Sequence, residues 1–371
     1  MALKKHNNLR ENEKGFSNFI DKVNPFQFIT LLSLFFYSYF SYFIDTQSYY
    51  LFIVGQACLL LIVIASGTIR LGNPLALVLI SLFCFCPLIY QLAIGHFQYK
   101  TLLTGLFFLS LNITLVNLFH SVNDKTVVWA FFLVTFSFYL AALFYSSSSY
   151  FNFVVLSTIL LFLNSKLLIP LSICVVAYLS TTNNAPKAEI ISLCLGLVAI
   201  KFHGTFKKRL WKITYLLSYP VVTTMVILTE RNISPTEAVF SGRASIWSFW
   251  TEQIISESPM FGFGPRSSDL HKDILSLANE CADTTIAALK DPHSVLISSL
   301  AYGGILGVIV LYISLIVLIS NRGTTLATFM FYFSCGAIHM NSASPLFGTS
   351  PMTILFVASL VLQNQNLTRR T

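Results

Sequence analysis

Charge is what this chain most lacks. Asp, Glu, Lys and Arg make up 10% of its 371 residues, where a soluble globular domain carries about 25%. With 55% hydrophobic residues and a mean hydropathy of +0.72, the sequence excludes a large water-soluble domain. Alternation of apolar and polar residues is missing too. The apolar runs are continuous, which excludes a closed transmembrane β-barrel. A disulfide framework is also absent: six of the seven cysteines lie in apolar runs, and Cys281 stands alone in polar sequence. The Cys84/Cys86 spacing fits neither a metal nor a redox motif, so buried apolar cysteines are expected there. No internal repeat is visible, and the inverted halves of many transporters are not apparent. The middles of the apolar runs hold almost no ionisable residues, which argues against a proton relay or charge-coupled transport.

What is there is a succession of apolar runs, many of about 18 residues and able to cross a bilayer as a helix, with the sixth to eighth short enough to be half-helices or re-entrant pieces. They fall at 26–43, 49–66, 74–93, 102–119, 127–144, 150–163, 167–179, 190–200, 213–228, 294–320, 325–338 and 352–362. The expected fold is therefore an all-α polytopic membrane protein of about twelve transmembrane helices. Residues 1–25 form a polar tail, 26–228 carry helices one to nine, 229–293 form one large loop, 294–362 carry helices ten to twelve, and 363–371 form a second tail. The first run is too long for a cleaved signal peptide and reads as a retained span.

The net charge of +8 points to membrane orientation, not to nucleic acid. Arg70, the KKRLWK cluster at 207–212, Arg322, Arg369 and Arg370 fall on the cytoplasmic side if the N-terminus is cytoplasmic. Asp45 and the loop 229–292 then fall outside.

One long polar segment, 241–307, interrupts the apolar sequence. It holds two of the seven histidines and two of the four tryptophans, and it is where chemistry is expected. Residues 244–257 have Trp247, Trp250 and Ile254 at helical spacing, with Pro259 ending the run. Two arrangements satisfy this pattern: a helix lying flat in the membrane interface, or a lid packed on the bundle. Arg243 opens the helix, where it either holds a phosphate with the free backbone N–H groups or pairs with a loop carboxylate. Gly262 and Gly264 flank Phe263 and form a tight turn; the spacing is not a dinucleotide fingerprint. A second helical stretch places Leu270, Ile274, Leu277 and Cys281 on one stripe. The acids and His271 around it lack metal-ligand spacing and read as a solvated face, so no metal site is expected. His293 sits where the loop meets a long span, either as a structural side chain or as an acid–base group.

Three elements stand in order. They are Gly242-Arg243-x-x-x-Trp247, Pro259-x-x-Gly262-x-Gly264, and His293-Ser294 followed after eight residues by Gly303-Gly304-Ile305-x-Gly307. The set resembles the O-antigen ligase family of bacterial membrane glycosyltransferases, which includes related O-antigen and capsule polymerases. The resemblance is specific over about 240–310; elsewhere it rests on the many spans and the single large late loop. It implies a GT-C-like architecture in the bacterial inner membrane, with the active site facing the periplasm. It implies an inverting, metal-independent transfer without cofactor, from an undecaprenyl-diphosphate-linked glycan donor to a lipid A–core or other glycan acceptor.

His293 takes the place of the family's catalytic histidine, and Arg243 that of the loop arginine that holds the donor diphosphate. The family's second arginine finds its nearest counterpart in Lys166, after Asn164 and Ser165. That is a departure, because lysine is a point charge without a planar fork. The charge count also puts Lys166 on the inner side, whereas the family role requires the outer one. Ser294 stands where many ligases have Asn. A repeat-unit polymerase is the alternative from the same superfamily; a non-enzymatic polysaccharide flippase or transporter is the alternative from another class.

Overall fold

The computed structural model describes Leu32 and residues 74–121, 187–230, 243–265, 269–280, 294–341 and 351–364, apart from 94, 96 and 322, together with scattered residues between 126 and 137. Every regular element among them is helical. The helices are α1 (Pro74–Ala93), α2 (Tyr99–Ser121), α3 (Lys187–Lys201), α4 (His203–Phe206), α5 (Arg209–Glu230), α6 (Arg243–Glu257), α7 (Asp269–Asn279), α8 (Val295–Leu318), α9 (Thr325–Asn341) and α10 (Pro351–Asn364). Four stretches are long and apolar enough to cross a membrane: Pro74–Ala93, Thr101–Phe119, Arg209–Leu228 and Val295–Leu318. At 1.5 Å per residue, about twenty such residues match a hydrocarbon core of about 30 Å. The runs at 26–43, 49–66, 150–163 and 167–179 lie outside the described residues or nearly so.

Apolar sequence alone does not explain how these helices carry Ser, Thr and Asn. Ser81, Asn112, Thr114 and Asn117 each donate a side-chain hydrogen bond to the carbonyl four residues earlier. Their polar atoms are thus satisfied within their own helix, as an apolar environment requires.

α8 packs along α1, α9 along α3 and α10, and α2 bridges α1 and α10. One cluster of buried side chains fills the space between them, with Phe83, Phe119, Phe131, Phe329, Phe331 and Phe356 at or near full burial. A smaller cluster joins the end of α5 (Val226, Ile227) to α6, α7, Phe263 and the start of α8 (Ile297, Ala301).

Five helices run further than their apolar runs, and three of them do so at a buried polar residue. α5 begins at Arg209 rather than 213 because Lys212 is buried, with Nζ donating to the Ser320 carbonyl (3.0 Å) and to Gln363 Oε1 (2.7 Å). That same bond extends α10 through Gln363. α9 continues past 338 because His339 is buried: its Nδ1 donates to the Cys335 carbonyl (2.7 Å), its Nε2 accepts from Tyr312 (3.0 Å), and its ring stacks on Tyr219 at 4.7 Å. Polar residues that end a run in a hydropathy reading continue the helix once a partner is supplied. Cys84 and Cys86 are both buried, as their apolar setting implies.

Candidate functional site

The polar segment builds its structure on one discontinuity. α8 is broken at Gly304, whose backbone sits at φ 62°, ψ −165°. A break inside an apolar helix leaves carbonyls and N–H groups without their partners four residues away, which is tolerable only where other protein groups replace them. Here the loop after α6 replaces them. Phe263 N–H donates to the Ala301 carbonyl (2.6 Å) and Gly264 N–H to the Tyr302 carbonyl (3.0 Å). In return, Ile305 N–H donates to the Pro259 carbonyl (2.9 Å) and Leu306 N–H to the Met260 carbonyl (3.2 Å). Two acceptors and two donors freed by the break are therefore taken up by one loop.

Glycine is required on both sides of this lock. Gly262 has φ 69°, and a Cβ there would lie 2.6 Å from Gly304 N and 2.7 Å from the Ala301 carbonyl oxygen. A Cβ at Gly304 would run into the carbonyl of Met260 and the nitrogen of Phe261. Both clashes are with backbone, so no rotamer change relieves them. The Pro259–Gly264 turn and the Gly303–Gly304 pair are thus the two halves of one contact. In the sequence the first reads as a tight turn and the second as part of the third motif element.

Neighbouring helices hold the lock from the α1 side. Tyr302 packs on Phe83 and Phe108 and donates from its hydroxyl to the Cys84 carbonyl (2.7 Å). Cys86 Sγ donates to the Gly303 carbonyl (3.3 Å), and Phe261 stacks on Tyr90 at 5.9 Å. Gln91 Nε2 donates to Thr101 Oγ1 (2.9 Å), tying the end of α1 to the start of α2 beside Gly264. These bonds are all between uncharged groups.

α6 resolves the choice between a flat interfacial helix and a packed lid. Ala244, Ile246, Trp247, Trp250 and Ile254 are all buried, in the cluster that includes Ile297 and Ala301 of α8. The indoles face protein, and the helix is a lid fixed to the bundle. α7 packs in the same cluster through Ile274 and Ala278, whereas Leu277 is 46% exposed. The buried face of α7 is therefore turned from the stripe read in the sequence, and Cys281 lies outside the described residues.

Of the residues singled out in the sequence, Arg243 is the first residue of α6, at a helix N-terminus with its free N–H groups. His293 and Lys166 lie outside the described residues. Ser294, immediately after His293, is the N-cap of α8, extended at φ −148°, ψ 128°. Its side chain makes no capping bond, and its Oγ is buried without a hydrogen-bond partner among the described residues. Ser299 Oγ, one turn further on, and Ser258 Oγ, at the end of α6, are in the same condition. An unsatisfied buried hydroxyl costs about 1–3 kcal/mol. Sequence reasoning singled out Ser294 only as a motif position and passed over Ser258 and Ser299, because a serine carries no sequence signal of burial. Among the described residues, no group of three or more His, Cys, Asp or Glu side chains could hold a metal ion.

Comparison with protein-family models, with curated proteins and with solved structures gives no match.

Proposed function

We propose that this chain is a bacterial inner-membrane glycosyltransferase of GT-C-like architecture with about twelve spans. It moves a glycan from undecaprenyl diphosphate to a lipid-anchored acceptor, lipid A–core, at the periplasmic face. The observation that carries the reading is the ordered motif set of Arg243, the Pro259–Gly264 turn and the His293–Gly307 stretch. Support comes from the fact that the second and third elements bond to each other through four backbone hydrogen bonds, while the first opens the lid helix that leads into them.

In this mechanism Arg243 and the N-terminal N–H groups of α6 hold the donor diphosphate. His293 takes the proton of an acceptor hydroxyl. That oxygen attacks the anomeric carbon from the face opposite the diphosphate, and the bond from this carbon to the diphosphate oxygen breaks with inversion. Undecaprenyl diphosphate departs with one more negative charge than it carried in the donor, and fixed cations can stabilise that developing charge as a metal does elsewhere. Lys166 is the second cation, acting as a point charge.

Deletion of the gene tests the reading. Accumulation of full-length polysaccharide on undecaprenyl diphosphate supports a ligase. Accumulation of single lipid-linked repeat units identifies the polymerase of the same superfamily. A deletion strain in which no lipid-linked glycan accumulates removes the proposal.

A further inference from the structure

The opposite end of the bundle carries a feature that glycan transfer does not use. Five cations fall between Lys201 and Lys212, and no acid occurs from Glu189 to Glu230. They divide into two groups. Arg209 and Lys212 are bonded to the protein: exposed Arg209 donates from Nη2 to the Ile316 carbonyl (3.0 Å), and buried Lys212 donates from Nζ to the Ser320 carbonyl and Gln363. Cations placed on carbonyls at or near the last turn of a helix also answer its dipole. Lys201, Lys207 and Lys208 are exposed.

Large apolar side chains surround these three lysines and are exposed with them. Leu210 is 72% exposed, and Phe202 and Trp211 are about half exposed. Lys201 Nζ lies 5.8 Å from the centre of the Phe202 ring, and Phe206 stacks on Trp211. In water this would be an unfavourable patch. Cations beside aromatic and aliphatic side chains at the end of a spanning helix suit a headgroup layer, where rings enter the acyl boundary and ammonium groups meet phosphates.

We propose that the 201–211 segment binds the headgroup of an anionic phospholipid, with Lys201, Lys207 and Lys208 on its phosphate and Phe202, Leu210 and Trp211 along its chains. The inference stands on this patch alone and is independent of the transferase reading.

The test uses the full-length protein in phosphatidylcholine vesicles containing a minor fraction of lipid brominated on its acyl chains, either phosphatidylglycerol or phosphatidylcholine. Bromine quenches nearby indoles, and subtracting the Trp211→Phe protein isolates the Trp211 signal. Brominated phosphatidylglycerol should quench Trp211 more than brominated phosphatidylcholine at equal fraction. Each surface lysine contributes about 5-fold to attraction of an anionic lipid. The Lys207→Gln/Lys208→Gln double variant should therefore reduce the relative association constant by about 25-fold. Equal quenching by the two lipids overturns the proposal. So does loss of the preference on adding inorganic phosphate at constant ionic strength, which would make the patch a soluble-anion site. Both substitutions are on exposed side chains, so the variant reports binding rather than folding.

Discussion

The two ends of the bundle are held together by opposite means. At the end where α6 meets α8, the bonds are backbone to backbone, two glycines make room for them, and every group involved is neutral. At the end where α5 begins and α8 finishes, side chains take part in every bond: Lys212 Nζ donates to Gln363 and the Ser320 carbonyl, Arg209 Nη2 to the Ile316 carbonyl, and the Arg209 backbone N–H to Asn321 Oδ1. Buried Lys212 has its charge committed to two acceptors, while Lys201, Lys207 and Lys208 stay exposed at the same end. The contact between the α6 loop and α8 puts no charged side chain into its bonds.

The largest effect should come from breaking the neutral end. Gly304→Ala places a Cβ against the Met260 carbonyl and forces a left-handed backbone on a residue with a side chain. That conformation, open essentially to glycine alone, costs about 1–3 kcal/mol, and displacing the loop forfeits four hydrogen bonds worth about 1 kcal/mol each. Thermal unfolding in detergent should show a loss of several kcal/mol, and Gly262→Ala should behave alike. An unchanged melting temperature for both would mean that the lock does not hold the two elements.

The charged end should be weaker residue for residue. Lys212→Met removes a cation from two buried acceptors, and hydrogen bonds to charged groups are worth about 1.5–3 kcal/mol. Adding Gln363→Leu should cost less in that background than alone, because the amide has already lost its partner. Strict additivity would show that the pair is not coupled. As a control at the same end, Gly204→Ala meets nothing within 4 Å and should stay within about 0.5 kcal/mol of the parent.

The smallest effect is a pH dependence. Burial first, and then the charges of Lys207 and Lys212, hold the His203 pKa below its ordinary value. The folded state therefore binds this proton less readily than the unfolded chain. The stability His203 contributes is present above the ordinary histidine range and falls as pH drops through it. Stability of wild type relative to His203→Gln should decline between about pH 7.5 and 5.5; a constant difference would contradict the assignment.

Much of the helical architecture was legible in the sequence, because continuous hydropathy is a strong signal. The run at 74–93 coincides with α1, and 102–119, 190–200 and 325–338 fall within α2, α3 and α9. What was not legible depends on partners distant in sequence. Nothing in the run 294–320 marks a break at Gly304, since the loop that repairs it lies some forty residues earlier. Lys212, His339 and Gln363 read as the ends of runs because their partners come from other helices. For α7, helical spacing identified a stripe, but the contacts chose the neighbouring face with Ala278. The motif residues themselves were legible as residue types in order. That Gly262 and Gly304 are two sides of one contact was not, because spacing along a chain does not report approach in space.

Purified protein can test the proposed glycan transfer with His293 as its base. The assay supplies an undecaprenyl-diphosphate-linked glycan and an acceptor in EDTA, with donor binding measured separately. General-base catalysis contributes roughly 10²–10⁴-fold. His293→Ala, at normal membrane level, should lose transfer on that scale while still binding donor, and Arg243→Ala should weaken donor binding as well. Transfer by His293→Ala at the wild-type rate would contradict the account at its centre.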